Sequence, residues 1–179
     1  MGCLIGTIKL RTCSTDVVEG DIFINDVHGI SLRMLDSVAD EEAATFYQLF
    51  VNSEVLAEEK FYQECFQYFK NCWQVKNLQC VKDYICADEN YTQFLTAWKY
   101  YLAAELTIAR RLSDRNNIFT LDEEAITVSL EYYREEFVKS IRVTVESLDL
   151  NPCDCSGTTY ENCFECGEGE LMRVFYNIP

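Results

Sequence analysis

Four cysteines near the end of the chain have the residue type and spacing of a metal site: Cys153-x-Cys155, a seven-residue gap, then Cys163-x-x-Cys166. Four thiolates complete a tetrahedral Zn²⁺ shell, and such a closed site is structural, because no position is left for water or substrate. Cys163-x-x-Cys166 is a normal half-site, and Gly167 suits a tight turn behind it, whereas the first pair is one residue tighter than usual. Asp154, Glu161, Glu165 and Glu168 crowd negative charge around the thiols, so the cluster needs a cation if it is to ionise. Structural zinc on Cys153, Cys155, Cys163 and Cys166 is the cofactor expected, with unliganded thiols or a disulfide pair as the alternatives. The acidic neighbours oppose the reactive thiolate that redox catalysis requires.

No other constellation favours catalysis. His28 is the single histidine and sits in a turn-like Asn25-Asp26-Val27-His28-Gly29 run, where local hydrogen bonding is the expectation. Glu41–Glu42, Glu58–Glu59, Glu123–Glu124 and Glu135–Glu136 are adjacent in sequence, so each pair diverges around a helix and reads as a solvated face. Neither a P-loop nor G-x-G-x-x-G occurs. Arg110–Arg111 falls in the last turn of a helix, where cations suit the dipole. The chain is therefore expected not to be an enzyme. Cys65 and Cys72 share a helix face and, with Cys3 and Cys13, read as small buried hydrophobes; Cys80 and Cys86 stay unassigned. Met1-Gly2-Cys3-Leu4-Ile5 lacks the basic start of an export signal, so the ten cysteines are expected to be reduced.

The last residues are a second candidate site. In Met172-Arg173-Val174-Phe175-Tyr176-Asn177-Ile178, strand alternation puts Met172, Val174, Tyr176 and Ile178 on one face and Phe175 on the other. Such an apolar end requires cover. Met172, Val174, Phe175, Tyr176 and Ile178 are expected to bind a partner by strand addition, or else to pair with the chain's own N-terminal hairpin.

The elements that position these groups are mainly helical. Residues 3–13 and 21–25 read as two strands of a β-hairpin. Asp40-Glu41-Glu42 opens a helix, Asn52 or Ser53 caps another over 54–72, and 76–86 is ambiguous, a short helix being one reading. Asn90 opens a helix to about 113 whose wide apolar arc predicts burial on more than one side. Thr120-Leu121-Asp122-Glu123 is a capping box, and Ile126, Leu130, Tyr133, Phe137, Ile141, Val145 and Leu148 form the clearest amphipathic stripe. The expected fold is a helical bundle with an N-terminal β-hairpin over 1–150, then an extended Cys-rich knuckle and docking tail over 151–179.

With 49% apolar and 13% aromatic residues, the chain can bury a core without disulfides. Its net charge of −15 repels nucleic-acid phosphates and anionic lipid, which argues against specific DNA binding and against a membrane surface. No run approaches the ~18 apolar residues of a membrane span.

Ile8-Lys9-Leu10-Arg11-Thr12-Cys13, followed by Asp21-Ile22-Phe23-Ile24-Asn25-Asp26-Val27-His28-Gly29-Ile30-Ser31-Leu32, resembles a segment of small virion proteins of tailed phages infecting Bacteroidetes, the crAss-like group included. The nearest role is the head–tail connector, or adaptor ring protein; His28 stands where that motif carries Pro. The resemblance implies a virion protein, assembled in the host cytoplasm, that forms a homo-oligomeric ring below the portal protein. It implies contacts with neighbouring connector or tail proteins through residues 167–179, and acidic faces that let DNA pass without binding. The alternatives are a zinc-stabilised interaction module of a cellular complex, and another internal or tail component of a phage virion.

Overall fold

The computed structural model describes residues 2–11, 17–28, 30, 40–72, 77–87, 90–113 and 123–147. Four helices dominate: α1 (Asp40–Cys72), α2 (Leu78–Ile85), α3 (Tyr91–Ser113) and α4 (Glu123–Ser147). The fold is mainly helical, as expected, with a small N-terminal sheet. α1 runs unbroken for 33 residues, a rod of about 50 Å. The expected break at Asn52–Ser53 is absent because neither residue caps a helix there. Asn52 accepts from Gln48 Nε2 one turn back at 3.0 Å, and Ser53 is buried in mid-helix.

The stretch 76–86, ambiguous in sequence, contains the helix α2. Asn77 caps it through Oδ1, which accepts the Cys80 amide at 2.9 Å and satisfies one otherwise orphaned donor. α3 begins one residue after Asn90, whose carbonyl accepts the Gln93 amide at 2.9 Å. In the α4 stripe, Ile126, Tyr133, Phe137 and Ile141 are buried and Leu130 packs against the core. Thr120 and the side chain of Val145 lie outside the described residues.

α3 is the central helix. It packs along α4 on one side and α1 on the other, which accounts for its wide apolar arc. Phe94, Ala97, Trp98, Leu102 and Ala103 are sealed within it. The densest part of the core is a ring cluster around Phe61 of α1. Trp98 and Tyr101 of α3 and Phe137 of α4 lie edge-on to it, with centroids at 5.3, 5.6 and 5.9 Å. Such pairs add specific geometry to simple area burial.

The N-terminal residues form a strap across the bundle. Its strands, β1 (Ile8–Lys9) and β2 (Ile22–Phe23), pair Ile8 with Ile22 and Lys9 with Phe23 in parallel. The expected hairpin is therefore a parallel crossover. Lys9 Nζ meets Asp21 Oδ1 at 2.6 Å, and Asn25 Oδ1 accepts the Arg11 amide at 2.7 Å. Leu4, Ile8, Leu10, Ile24, Val27 and Ile30 join the main core.

Candidate functional site

The strap is anchored at both ends, and its first anchor is chemically unusual. Glu54 and Glu58 stand one turn apart on α1, and both are buried, at 4% and 6% exposure. Glu58 Oε1 accepts the Leu4 amide at 2.9 Å, and Glu54 Oε1 accepts the Gly6 amide at 2.6 Å. Two carboxylates thus replace the strand partner that these main-chain donors lack, and hydrogen bonds to charged acceptors are the stronger kind. Glu58 Oε1 also accepts a hydrogen bond from the Tyr62 hydroxyl at 3.0 Å. Burial holds the Glu54 carboxyl above the usual carboxylate range, the Gly6 amide opposes that, and neighbouring Glu58 adds to it. Burial, with Glu58 beside it, pushes the Tyr62 phenol up. Glu58 thus departs from the reading of Glu58–Glu59 as a solvated pair. The strap covers Glu58, while Glu59 stays exposed and pairs with Lys82 of α2 at 2.6 Å.

Backbone conformation completes this anchor. Gly6 has φ of 79°, a left-handed turn that side chains disfavour. Gly2 lies so close to Glu58 that a Cβ there would collide with its carboxylate.

Cys3, between these contacts, is disulfide-bonded to Cys86, the C-cap residue of α2, with Cα atoms 5.5 Å apart. Cys80 is disulfide-bonded as well. The expectation of reduced cysteines fails at these positions, and so does the reading of Cys3 as a small apolar filler. The strap carries Cys3 across 83 residues of sequence to the end of α2, a proximity that exists only in the folded chain. Cys65 keeps its expected character, since its thiol is free and fully buried and burial pushes its pKa well up.

At the strap's other end, the Tyr133 hydroxyl of α4 donates to the His28 carbonyl at 2.6 Å. The His28 ring is exposed and lies edge-on to Tyr132 at 6.2 Å. Both contacts of His28 are therefore long-range ones to α4, where local hydrogen bonding within the turn was the expectation. Tyr132 in turn meets Tyr100 of α3, whose phenol is pushed up to about 12 by burial and by the Tyr132 hydroxyl.

Two outward faces carry apolar groups on an acidic surface. On α1, Val55 and Leu56 straddle the exposed side, at 54% and 67% exposure. On α4, Val128, Tyr132 and Val143 follow one line along the helix with Lys139 between them. Glu124, Glu131 and Glu135 border that line and are exposed.

The sequence-derived sites lie elsewhere. Cys153, Cys155, Cys163 and Cys166, and Met172, Val174, Phe175, Tyr176 and Ile178, fall outside the described residues. Among the described residues, no group of three or more His, Cys, Asp or Glu is placed to hold a metal, and no helix is long and apolar enough to cross a membrane. Sequence reasoning missed the Glu54–Glu58–Tyr62 anchor. Its one local signal is the i, i+4, i+8 spacing of three polar groups on a helix. Comparison of the chain with protein-family models, curated proteins and solved structures finds no match in any of the three.

Proposed function

We propose that this chain is a structural subunit of a tailed-phage virion, a head–tail connector that works through its surfaces. The observation that supports a surface role is the pair of apolar faces on the outer sides of α1 and α4. Val55 and Leu56 on one, and Val128, Tyr132 and Val143 on the other, interrupt surfaces that are otherwise largely polar or charged. Two different patches on one subunit suit head-to-tail contacts, and such contacts close into rings when the rotation between copies permits. The assignment to a connector below the portal rests on the resemblance of residues 8–32. Those residues include much of the strap. The acidic chain, at −15 overall, would let packaged DNA slide past without being held. Residues 167–179 would serve as the attachment arm to the portal or a neighbour, launched from a knuckle in which Cys153, Cys155, Cys163 and Cys166 hold zinc.

Electron microscopy of the purified protein, alone and with the portal protein of the same virion, tests this reading. Rings or portal-bound complexes are expected, and L56D with V143D should reduce them while leaving the helical circular-dichroism signal intact. Solely monomeric particles over a wide concentration range, with no portal complex, would overturn it.

A further inference from the structure

We infer that the Cys3–Cys86 pair is a reversible redox staple that sets how firmly the first turn of the strap is held on the bundle. The inference stands apart from the proposed virion role and does not depend on it.

Three features of the site carry it. First, the bond joins two elements that are otherwise linked only by noncovalent contacts, the strap's opening turn and the end of α2. Second, both cysteines are partly exposed, so a small dithiol can reach them, whereas the free thiol of Cys65 is sealed in the core. Third, the surroundings suit both oxidation states. Tyr62 Oη lies 3.4 Å from Cys3 Sγ and 3.4 Å from Cys86 Sγ, and donates its one proton to Glu58. In the disulfide neither sulfur carries a proton. After reduction each thiol has a proton to donate, and the lone pairs of Tyr62 Oη face both sulfurs as ready acceptors. The Leu4 and Gly6 amides remain bonded to Glu58 and Glu54, so the two thiols stay near each other and the bond can re-form.

The chemistry is thiol–disulfide exchange with a dithiol reductant. A reductant thiolate attacks one sulfur, the Cys3–Cys86 bond breaks, and a mixed disulfide forms. The second reductant thiolate then attacks its own sulfur in that mixed disulfide and releases the remaining cysteine. Two electrons and two protons arrive on Cys3 and Cys86, and the reductant leaves as a cyclic disulfide. The reduced first turn is held by two amide–carboxylate bonds and the packing of Leu4, so it opens more often and uncovers Glu58 and Tyr62.

The test uses the full chain prepared without reductant. Peptide mass spectrometry should find Cys3 joined to Cys86. Brief treatment with a small dithiol, then alkylation, should label both cysteines and leave Cys65 unlabelled. Native-state hydrogen exchange at the Leu4 and Gly6 amides should accelerate by about tenfold or more on reduction, and return when the dithiol is removed and the protein is reoxidised. C3S, which leaves the Cys80 disulfide in place, should match the reduced protein with or without dithiol. Should C3S fail to fold, the wild-type comparison still decides. Free thiols at Cys3 and Cys86 in the untreated protein, or unchanged Leu4 and Gly6 exchange once the bond is cut, would overturn the inference.

Discussion

Glu58 of α1 accepts the main-chain amide of Leu4 at 2.9 Å, across 54 residues of sequence, and this bond seats the strap on the bundle. A carboxylate doing the work of a strand neighbour is costly to bury, and it is retained here because it satisfies two donors at once. Removing it leaves the Leu4 amide unpaired and the Tyr62 hydroxyl with only the weakly accepting sulfurs of Cys3 and Cys86, each at 3.4 Å. Glu58→Ala is therefore expected to cost about 1–3 kcal/mol, the cost of one buried orphaned donor. Urea unfolding measures it. Glu58→Gln keeps an acceptor on the helix and should lose clearly less; equal losses would show that the charge, not the hydrogen bonds, matters.

The second carboxylate makes stability depend on pH in a stated direction. Burial raises the Glu54 carboxyl above its usual value of 4.5, against the pull of the Gly6 amide and helped by Glu58. Burial likewise raises Glu64, opposed by Arg134 and aided by Glu105. For an acid raised in the folded state, the folded chain holds its proton over a window in which the unfolded chain has released it. That stabilisation is fully present below the unfolded value and is lost as pH rises through the folded value. The melting temperature should thus rise on acidification from about pH 7 towards about pH 5. Asp21 acts in the opposite sense, because the Lys9 hydrogen bond lowers its carboxyl, so its contribution is lost only in stronger acid. Glu54→Gln should flatten the slope; an unaltered slope would place its origin elsewhere.

Two strap glycines, Gly2 and Gly6, should fail for different reasons. At Gly2 a methyl group would strike the Glu58 carboxylate, so Gly2→Ala must displace the anchor itself, with a cost of about 1–3 kcal/mol. At Gly6 a Cβ meets open space, and the penalty comes from the positive φ alone, about 1–2 kcal/mol. Hydrogen exchange separates them: Gly2→Ala should expose the Leu4 amide, while Gly6→Asn, which tolerates the left-handed turn, should restore most of what Gly6→Ala loses.

Phe61 sits at the junction of three helices, fully buried and ringed by Trp98, Tyr101 and Phe137. Phe61→Ala should cost about 3–5 kcal/mol by lost burial and a cavity that the surrounding rings cannot fill. Denaturant midpoints give the figure. Phe61→Leu should recover part of it, and a loss under about 1 kcal/mol for the alanine variant would mean that the core collapses around the gap.

Much of the helical body was legible in the chain. The 3–4 spacing of Ile126, Tyr133, Phe137 and Ile141 marks a buried stripe, and the wide arc around Trp98 marks a helix covered on more than one side. These are local periodicities, set by the 3.6-residue turn, and they need no knowledge of neighbours. Asn52 and Ser53 misled because good caps are also tolerated inside a helix whose packing outweighs propensity.

The sequence by itself determined the mainly helical body, the phase of the α3 and α4 stripes, the excess of acidic residues and the apolar character of Cys65. Only the tertiary structure decided the anchor of the strap. Glu58 and Glu59 are indistinguishable as letters, yet one is covered and bonded to Leu4 and Tyr62, and the other is exposed and paired with Lys82. Parallel pairing of Ile8 with Ile22 and the meeting of Cys3 with Cys86 are likewise long-range events. Their energy comes from contacts between segments that are remote in the chain, so no local pattern encodes them, and they exist only once the bundle has formed the surface on which the strap lies.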